Sequence, residues 1–323
     1  MNSVRSFSLA LFLTGGALFG AAGSPLLNVS YDVTREFYKE FNPAFTAHWE
    51  KTAGVRLAVN QSHGGSSKQV RSVIDGLEAD VVTMNGVPDV NQLSKAGLIP
   101  ADWAKRLPND SVPYTSTILF IVRKGNPKGI KGWDDLVKPG VAVIIPNPKT
   151  SGNGRYSYLG AWIHALRKPG GNDATARVFV KKLFGNVPVL DTGGRGATTT
   201  FAQRGIGDVL LTFENEVALI LKELGPDAVE AVTPAASILA ENPVVWVDKF
   251  VKKHGSAREA QAYLEFLYTP EAQELAAKYY FRPLQPASAA KYPGRFPALT
   301  LYSVPEVFGS WDAAQRAHFS DGG

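Results

Sequence analysis

Four short segments have the residue types that hold an anion without using a buried cation. They lie at Asp32, at Ser66, at Ser151 and at Gly194. Each follows a predicted strand, opens a predicted helix and is rich in Gly, Ser or Thr. The first N–H groups of a helix have no partner inside it and lie at the positive end of the helix dipole. Glycine lets backbone approach a ligand closely, and Ser or Thr hydroxyls add donors. Four such ends facing one cleft would form a cage of donors around an oxyanion. Taken singly, each loop also reads as a tight turn with a helix cap. The only carboxylates in these loops are Asp32 and Asp191, and capping a helix is the simpler role for both.

A donor-only cage would be selective. Sulfate and thiosulfate carry no proton at neutral pH and only accept hydrogen bonds. Phosphate keeps a proton, which would go unpaired there.

The elements that must position these loops follow from the apolar pattern. Residues 26–30 form a short apolar run. Phe37, Phe41, Phe45 and Trp49 recur at helical spacing over 34–51, with Asp32 expected as the N-cap. Residues 55–59 alternate as a strand, 61–67 read as a loop, 68–77 as a helix and 80–83 as a strand. That order is βαβαβ, the mark of a mainly parallel sheet. The β-branched run 115–123 leads into a second lobe. There, strands are expected at 141–145, 187–190 and 209–213, and helices at 156–166, 197–204 and 214–224. A return strand at 244–247 and helices at 257–267 and 270–280 follow. A C-terminal segment with Tyr302, Phe308, Trp311 and Phe319 is expected to pack across the first lobe. The chain is thus read as α/β, with one lobe inserted into the other and a cleft between them. Ligands of open α/β sheets sit beyond the carboxyl ends of the strands.

Composition narrows the function. The 323 residues are 45% apolar and 20% charged, enough for two globular lobes. The net charge of +5 is scattered, with no basic run of the kind nucleic acid would need. The absence of cysteine excludes disulfides, thiolate metal sites and cysteine nucleophiles, and suits an oxidising compartment. Residues 1–23 read as a signal peptide: Arg5, an apolar stretch over 9–19, then small residues. The alternative there is a buried N-terminal helix. The five histidines lack metal-ligand spacing, and no Walker motif is present, so no metal or cofactor is expected.

At these loops the sequence resembles the periplasmic sulfate- and thiosulfate-binding proteins. The matching stretches are Asn28-Val-Ser-Tyr-Asp32, Gln61-Ser-His-Gly-Gly-Ser66, Ala79-Asp-Val-Val-Thr83, Val122-Arg-Lys-Gly-Asn-Pro127, Pro146-Asn-Pro-Lys149, Arg195-Gly-Ala-Thr198, Gly207-Asp-Val209, Ile238-Leu-Ala-Glu241, Phe308-Gly-Ser-Trp311 and His318-Phe319. The resemblance implies the two-lobed periplasmic binding protein type II fold with two crossings between lobes. The lobes would be 24–116 plus 245–323, and 117–244. It also implies a set of ligand contacts: the Asp32 N–H, the Ser66 hydroxyl and N–H, the Ser151 hydroxyl, the Gly152 N–H and the Gly194 N–H, with Asn153 and Phe213 beside the ligand. Arg195, tied to backbone, would stand behind them with Thr150 and Ser67. The expected partner is an ABC permease of the inner membrane, the expected location the periplasm and the expected state a monomer.

Sulfate-type relatives carry a Trp donor where this chain has Phe213. Lys149-Thr-Ser-Gly-Asn153, Thr192-Gly-Gly194 and Thr198-Thr-Thr200 also resemble the thiosulfate branch. Losing one donor enlarges the site for an anion with a sulfur in place of an oxygen. Phe213 also reads as a core aromatic, which leaves sulfate as the main ligand. Other readings are a molybdate or phosphate carrier, and a hydrolase using Ser66 and His63. Against the hydrolase, the chain has no G-x-S-x-G elbow and no evident Asp to orient His63.

Overall fold

The structure, a computed structural model, describes residues 24–320. The segment read as a signal peptide lies outside the described residues. Among those described, no helix is long and apolar enough to cross a membrane.

Eleven strands occur in chain order among the described residues. The first six are β1 (Leu26–Tyr31), β2 (Val59–Gly64), β3 (Val81–Thr83), β4 (Tyr114–Arg123), β5 (Val143–Ile144) and β6 (Val209–Phe213). The rest are β7 (Val229–Val232), β8 (Ala236–Glu241), β9 (Val244–Trp246), β10 (Arg282–Pro283) and β11 (Thr300–Tyr302). They form two sheets. One has the order β2-β1-β3-β9, and the other β11-β8-β4-β6-β5, with β7 and β10 also on β4. In the first sheet β1 runs parallel to both β2 and β3, as the βαβαβ reading requires. At one end of the second sheet, β4 and β8 pair antiparallel, Thr115–Thr117 against Leu239–Glu241. The two passages are thus one hydrogen-bonded ribbon.

The helix Arg35–Ala53 buries Phe37, Phe41, Phe45 and Trp49, each at most 4% exposed. Phe41 and Phe45 meet the Tyr263 ring edge-on at 5.2 and 5.0 Å, which ties this helix to Ala257–Phe266. β6 and the helix Glu214–Leu224 occur where the pattern places them.

Three expectations shift. The strand expected at 55–59 is instead β2, over the polar run Asn60-Gln-Ser-His63, because residue-for-residue pairing with β1 fixes this edge strand. Residues 187–190 form no strand; the segment is held beside β5 by Val143 N–H to Asn186 O (2.9 Å) and Asn147 N–H to Asp191 O (2.7 Å). Pro188, lacking an N–H, cannot join a ladder. The helix expected at 156 begins at Gly152. Packing requires the glycines there, since a methyl group at Gly154 would lie 2.3 Å from the Pro146 carbonyl oxygen.

The C-terminal segment, expected on the first lobe, also reaches the second sheet. β11 pairs in parallel with β8, the Trp311 ring meets Tyr156 at 5.3 Å, and His318 meets Trp162 at 4.4 Å. Tyr156 and Trp162 belong to the helix Gly152–Leu166, so aromatic packing decides where the segment docks.

Candidate functional site

The four loops meet. A methyl group at Gly65 would lie 3.2 Å from the Thr192 carbonyl oxygen and 3.3 Å from that of Thr150. One at Gly193 would lie 2.9 Å from Asp32 Oδ2, and one at Gly194 would lie 3.3 Å from Val33 Cγ1. Residues after β1 and β2 therefore touch residues after β5 and before the helix Gly194–Thr198. A fifth loop, which the sequence reading passed over, joins them from β3. A methyl group at Gly152 would lie 1.8 Å from Asn85 Oδ1, so the Cα–H it would replace points at that oxygen.

The N-cap residues at this junction give no side-chain cap. Tyr31, Gly65, Ser151 and Gly193 occupy the N-cap positions, and none caps its helix with a side chain. Elsewhere Asn172, Thr269, Ser303 and Ser310 do so. Ser151 has a capping residue's extended backbone (φ −130°, ψ 128°), yet its hydroxyl leaves the helix uncapped. The expected caps at Asp32 and Asp191 are corrected here. Asp32 opens a single 3-10 turn, and its Oδ2 accepts the Arg195 N–H at 3.1 Å, so it caps the start of Gly194–Thr198 and not its own helix. Asp191 is two residues short of the N-cap Gly193, and its Oδ2 is buried without a partner.

Ser66 and Ser151 are 1% and 2% exposed. Ser66 Oγ lies 3.3 Å from Met84 Sδ and 3.5 Å from the Asn85 N–H, and no hydrogen bond joins it to His63 among the described residues. Asn153 is buried and its amide partly committed, Nδ2 donating to Thr212 Oγ1 (2.9 Å) and Oδ1 accepting from Ser157 (3.3 Å). Thr150 Oγ1 donates to the Thr192 carbonyl at 3.0 Å. Phe213, 1% exposed, stands edge-on to Tyr31 at 6.2 Å and to Tyr156 at 5.9 Å.

Two ion pairs flank the junction. Arg155, in the first turn of the helix Gly152–Leu166, donates to Asp89 Oδ2 at 2.5 Å and to Ser67 Oγ at 2.8 Å. Asp89 is fully buried and lies on the helix Val87–Lys95, so the pair joins elements of the two sheets. Arg195 was expected to be tied to backbone; its guanidinium pairs with Glu216 at 3.4 Å instead. Asn215 Nδ2 adds a bond to the Val33 carbonyl at 3.1 Å. The sequence reading missed Asn85, Asp89, Arg155, Asn215 and Glu216. Only Asn85 had a local signal, at the end of a strand just before a helix.

Arg155 and Arg195 thus each have a carboxylate, and the fixed dipoles of the helix starts add to the local field. Burial pushes the Asp32 carboxyl above its ordinary value, against the Arg195 N–H. Burial pushes Glu216 up to about 7, opposed by Arg195 and the Thr198 hydroxyl. Its Oε2 is buried without a partner.

This geometry, two α/β sheets joined by a paired ribbon with helix starts between them, is that of a solute-binding protein with the type II periplasmic binding-protein fold. The family model described as bacterial extracellular solute-binding protein matches residues 26–282. A protein named thiosulfate-binding protein from Pseudomonas aeruginosa is 56% identical over 322 residues, 99% of this chain and 97% of its own length. A sulfate-binding protein from Escherichia coli is 53% identical over 312 residues, covering 97% of this chain and 95% of that one. Among solved structures, the sulfate-binding protein SubI from Mycobacterium tuberculosis superposes with a TM-score of 0.83 at 34% identity, covering 92% of this chain and all of that one. The chain belongs to the family of sulfate- and thiosulfate-binding proteins.

Glu216 gives a test of the site's electrostatics. Its folded pKa of about 7 exceeds the ordinary 4.5, so the folded state gains nothing from it below about 4.5 and bears the full cost of the buried charge above about 7. Urea unfolding of the ligand-free protein should therefore show stability falling by on the order of 3 kcal/mol across that window. Glu216→Gln should lack this component. Parallel stability profiles for the two proteins would contradict the assignment.

Proposed function

We propose that the chain captures thiosulfate, with sulfate as a second ligand, in the periplasm and delivers it to an ABC importer. The convergence of four helix starts from two sheets, none capped by the side chain of its own N-cap residue, carries this reading. The cage is assigned to the N–H groups of Asp32, Ser66, Gly152 and Gly194 and the hydroxyls of Ser66 and Ser151. All of these donate, so a fully ionised oxyanion satisfies them and is satisfied. A charge-assisted hydrogen bond is short and strong, and several together offset the anion's desolvation. Asn153 gives one amide N–H to Thr212 and shapes the site, with its second N–H free to donate. The names of the relatives support both ligands; Phe213, a ring without a donor, tips the choice to thiosulfate.

The two lobes are assigned as 24–116 plus 245–323, and 117–244, with the third passage through β11 added. They close on the ligand by flexing at the β4–β8 ribbon. Closure brings Arg155 to Asp89 and Asn85 to Gly152, so the closed form has a surface the permease can distinguish. A calorimetric titration of the stripped mature protein tests the reading. Thiosulfate and sulfate should bind and phosphate should not. Silence with all three, or binding of phosphate, would sink the donor-only cage.

Two substitutions sharpen the assignment. Ser151→Ala should weaken binding of thiosulfate by about 1.5–3 kcal/mol, the range for a hydrogen bond to a charged group. An unchanged affinity would remove Ser151 from the cage. Phe213→Trp restores an indole donor and should raise the sulfate-to-thiosulfate affinity ratio. A ratio that does not move would show that position 213 does not choose the ligand.

A further inference from the structure

Outside the buried junction, between the same loops, lies a cavity of about 370 Å³. It is lined from one side by Asp32, Arg35, His63 and Lys68, and from the other by Thr192 and Arg195. Gly65, Thr150 and Gly193 line it too, and each is next in sequence to a buried residue assigned to the cage: Ser66, Ser151 and Gly194. The cavity is therefore the antechamber of the junction.

Its charges are not fully balanced. The Arg195 guanidinium pairs with Glu216, and the Asp32 carboxylate, which accepts the neutral Arg195 N–H and feels the charge of Arg35, offsets one of the two remaining cations. Arg35 and Lys68 are exposed and have no carboxylate partner among the described residues. They come from different elements, the helices Arg35–Ala53 and Ser66–Ile74, and both line the same cavity. The local field acts on a third lining group. Burial, then Arg35 and Lys39, lower His63 to about 4, so it is neutral at pH 7, and Arg35 and Lys68 against Asp32 leave one positive charge in excess.

We propose that this cavity is a second, weaker anion site, an antechamber in which Arg35 and Lys68 hold an oxyanion before it reaches the cage. Its chemistry differs from the cage's. Exposed, flexible cations surrounded by water do not require a proton-free ligand, because water can accept the proton that the cage would leave unpaired. The antechamber therefore takes phosphate as readily as sulfate. As a stage in loading it rests on the cage reading; as an anion site it stands alone.

Phosphate, which the cage is expected to refuse, is the probe. Thiosulfate-saturated, nitrogen-15-labelled protein is titrated with inorganic phosphate, and the amide resonances are followed. The shifts should saturate at Gly64, Gly65, Thr192 and Gly193 and leave Ser66, Gly152 and Gly194 in place. In the double variant Arg35→Gln, Lys68→Gln the apparent affinity for phosphate should fall about fivefold to tenfold, the effect of removing two exposed charges. The pair Lys181→Gln, Lys182→Gln removes the same charge outside this cavity and should leave it unchanged. Shifts that rise linearly over the whole surface, or equal weakening in the control pair, would overturn the site. Displacement of thiosulfate, read at Ser66, Gly152 and Gly194, would overturn the cage instead, with the antechamber still judged at Gly64 and Thr192. By rapid mixing, the double variant should bind thiosulfate roughly tenfold more slowly at low salt, the lower end of electrostatic steering. The difference should close near 1 M salt, where the screening length is about 3 Å. An association rate equal to that of the unaltered protein at low salt would remove Arg35 and Lys68 from loading.

Discussion

Backbone from two sheets can meet here only where side chains are missing. A methyl group at Gly65, Gly152 or Gly193 would stand 3.2 Å or less from a polar atom of another loop. These glycines lie in or beside the helix starts, where unpaired N–H groups are exposed. Close approach and donor supply are therefore one constraint. A larger residue at any of these positions would hold the loops apart and separate the donors. Helix-forming tendency yields to this requirement: Gly152–Leu166 begins with two glycines in three residues because the contacts with Asn85 and Pro146 leave no room for a side chain.

The ion pairs follow from the same geometry. Arg155 and Asp89 are nearly or wholly buried, and a buried pair contributes little net stability against a well-packed apolar one. What such a pair does impose is position. Losing one partner leaves a buried charge, so the two elements are held in one alignment, and that alignment places Ser151 and Gly152 against the loops of the first sheet. Ser67, beside Ser66 in sequence, accepts from the same guanidinium, which carries the alignment into the second loop.

The strands and helices with strong apolar periodicity were legible in the sequence. Phe37, Phe41, Phe45 and Trp49 mark one helix face, and the run 209–213 followed by Glu214 marks a strand and helix that occur there. The loops were legible because four of the same kind, rich in Gly, Ser and Thr, each follow a strand and open a helix, although any one alone also reads as a turn with a cap. β2 was not: an edge strand over Asn60, Gln61, Ser62 and His63 is defined by its neighbour's hydrogen bonds and leaves no pattern. Arg155 and Asp89 are 66 residues apart, and nothing local in either stretch announces the other. The docking of the C-terminal segment on Tyr156 and Trp162 was hidden for the same reason, since an aromatic residue is apolar toward any partner.

The proposed cage and antechamber divide two tasks that conflict in one site. A buried cation attracts every anion and discriminates poorly, because Coulomb attraction depends on charge and distance and not on whether an oxygen carries a proton. Neutral donors discriminate by that proton but act only over hydrogen-bond distance. Arg155 and Arg195, the cations nearest the junction, are each matched by a carboxylate, which removes them from competition with the donors. Arg35 and Lys68, exposed and without an ion pair among the described residues, stand where long-range attraction is useful and selectivity is not required. Placing charge outside and dipoles inside lets the protein gather anions broadly and retain them narrowly.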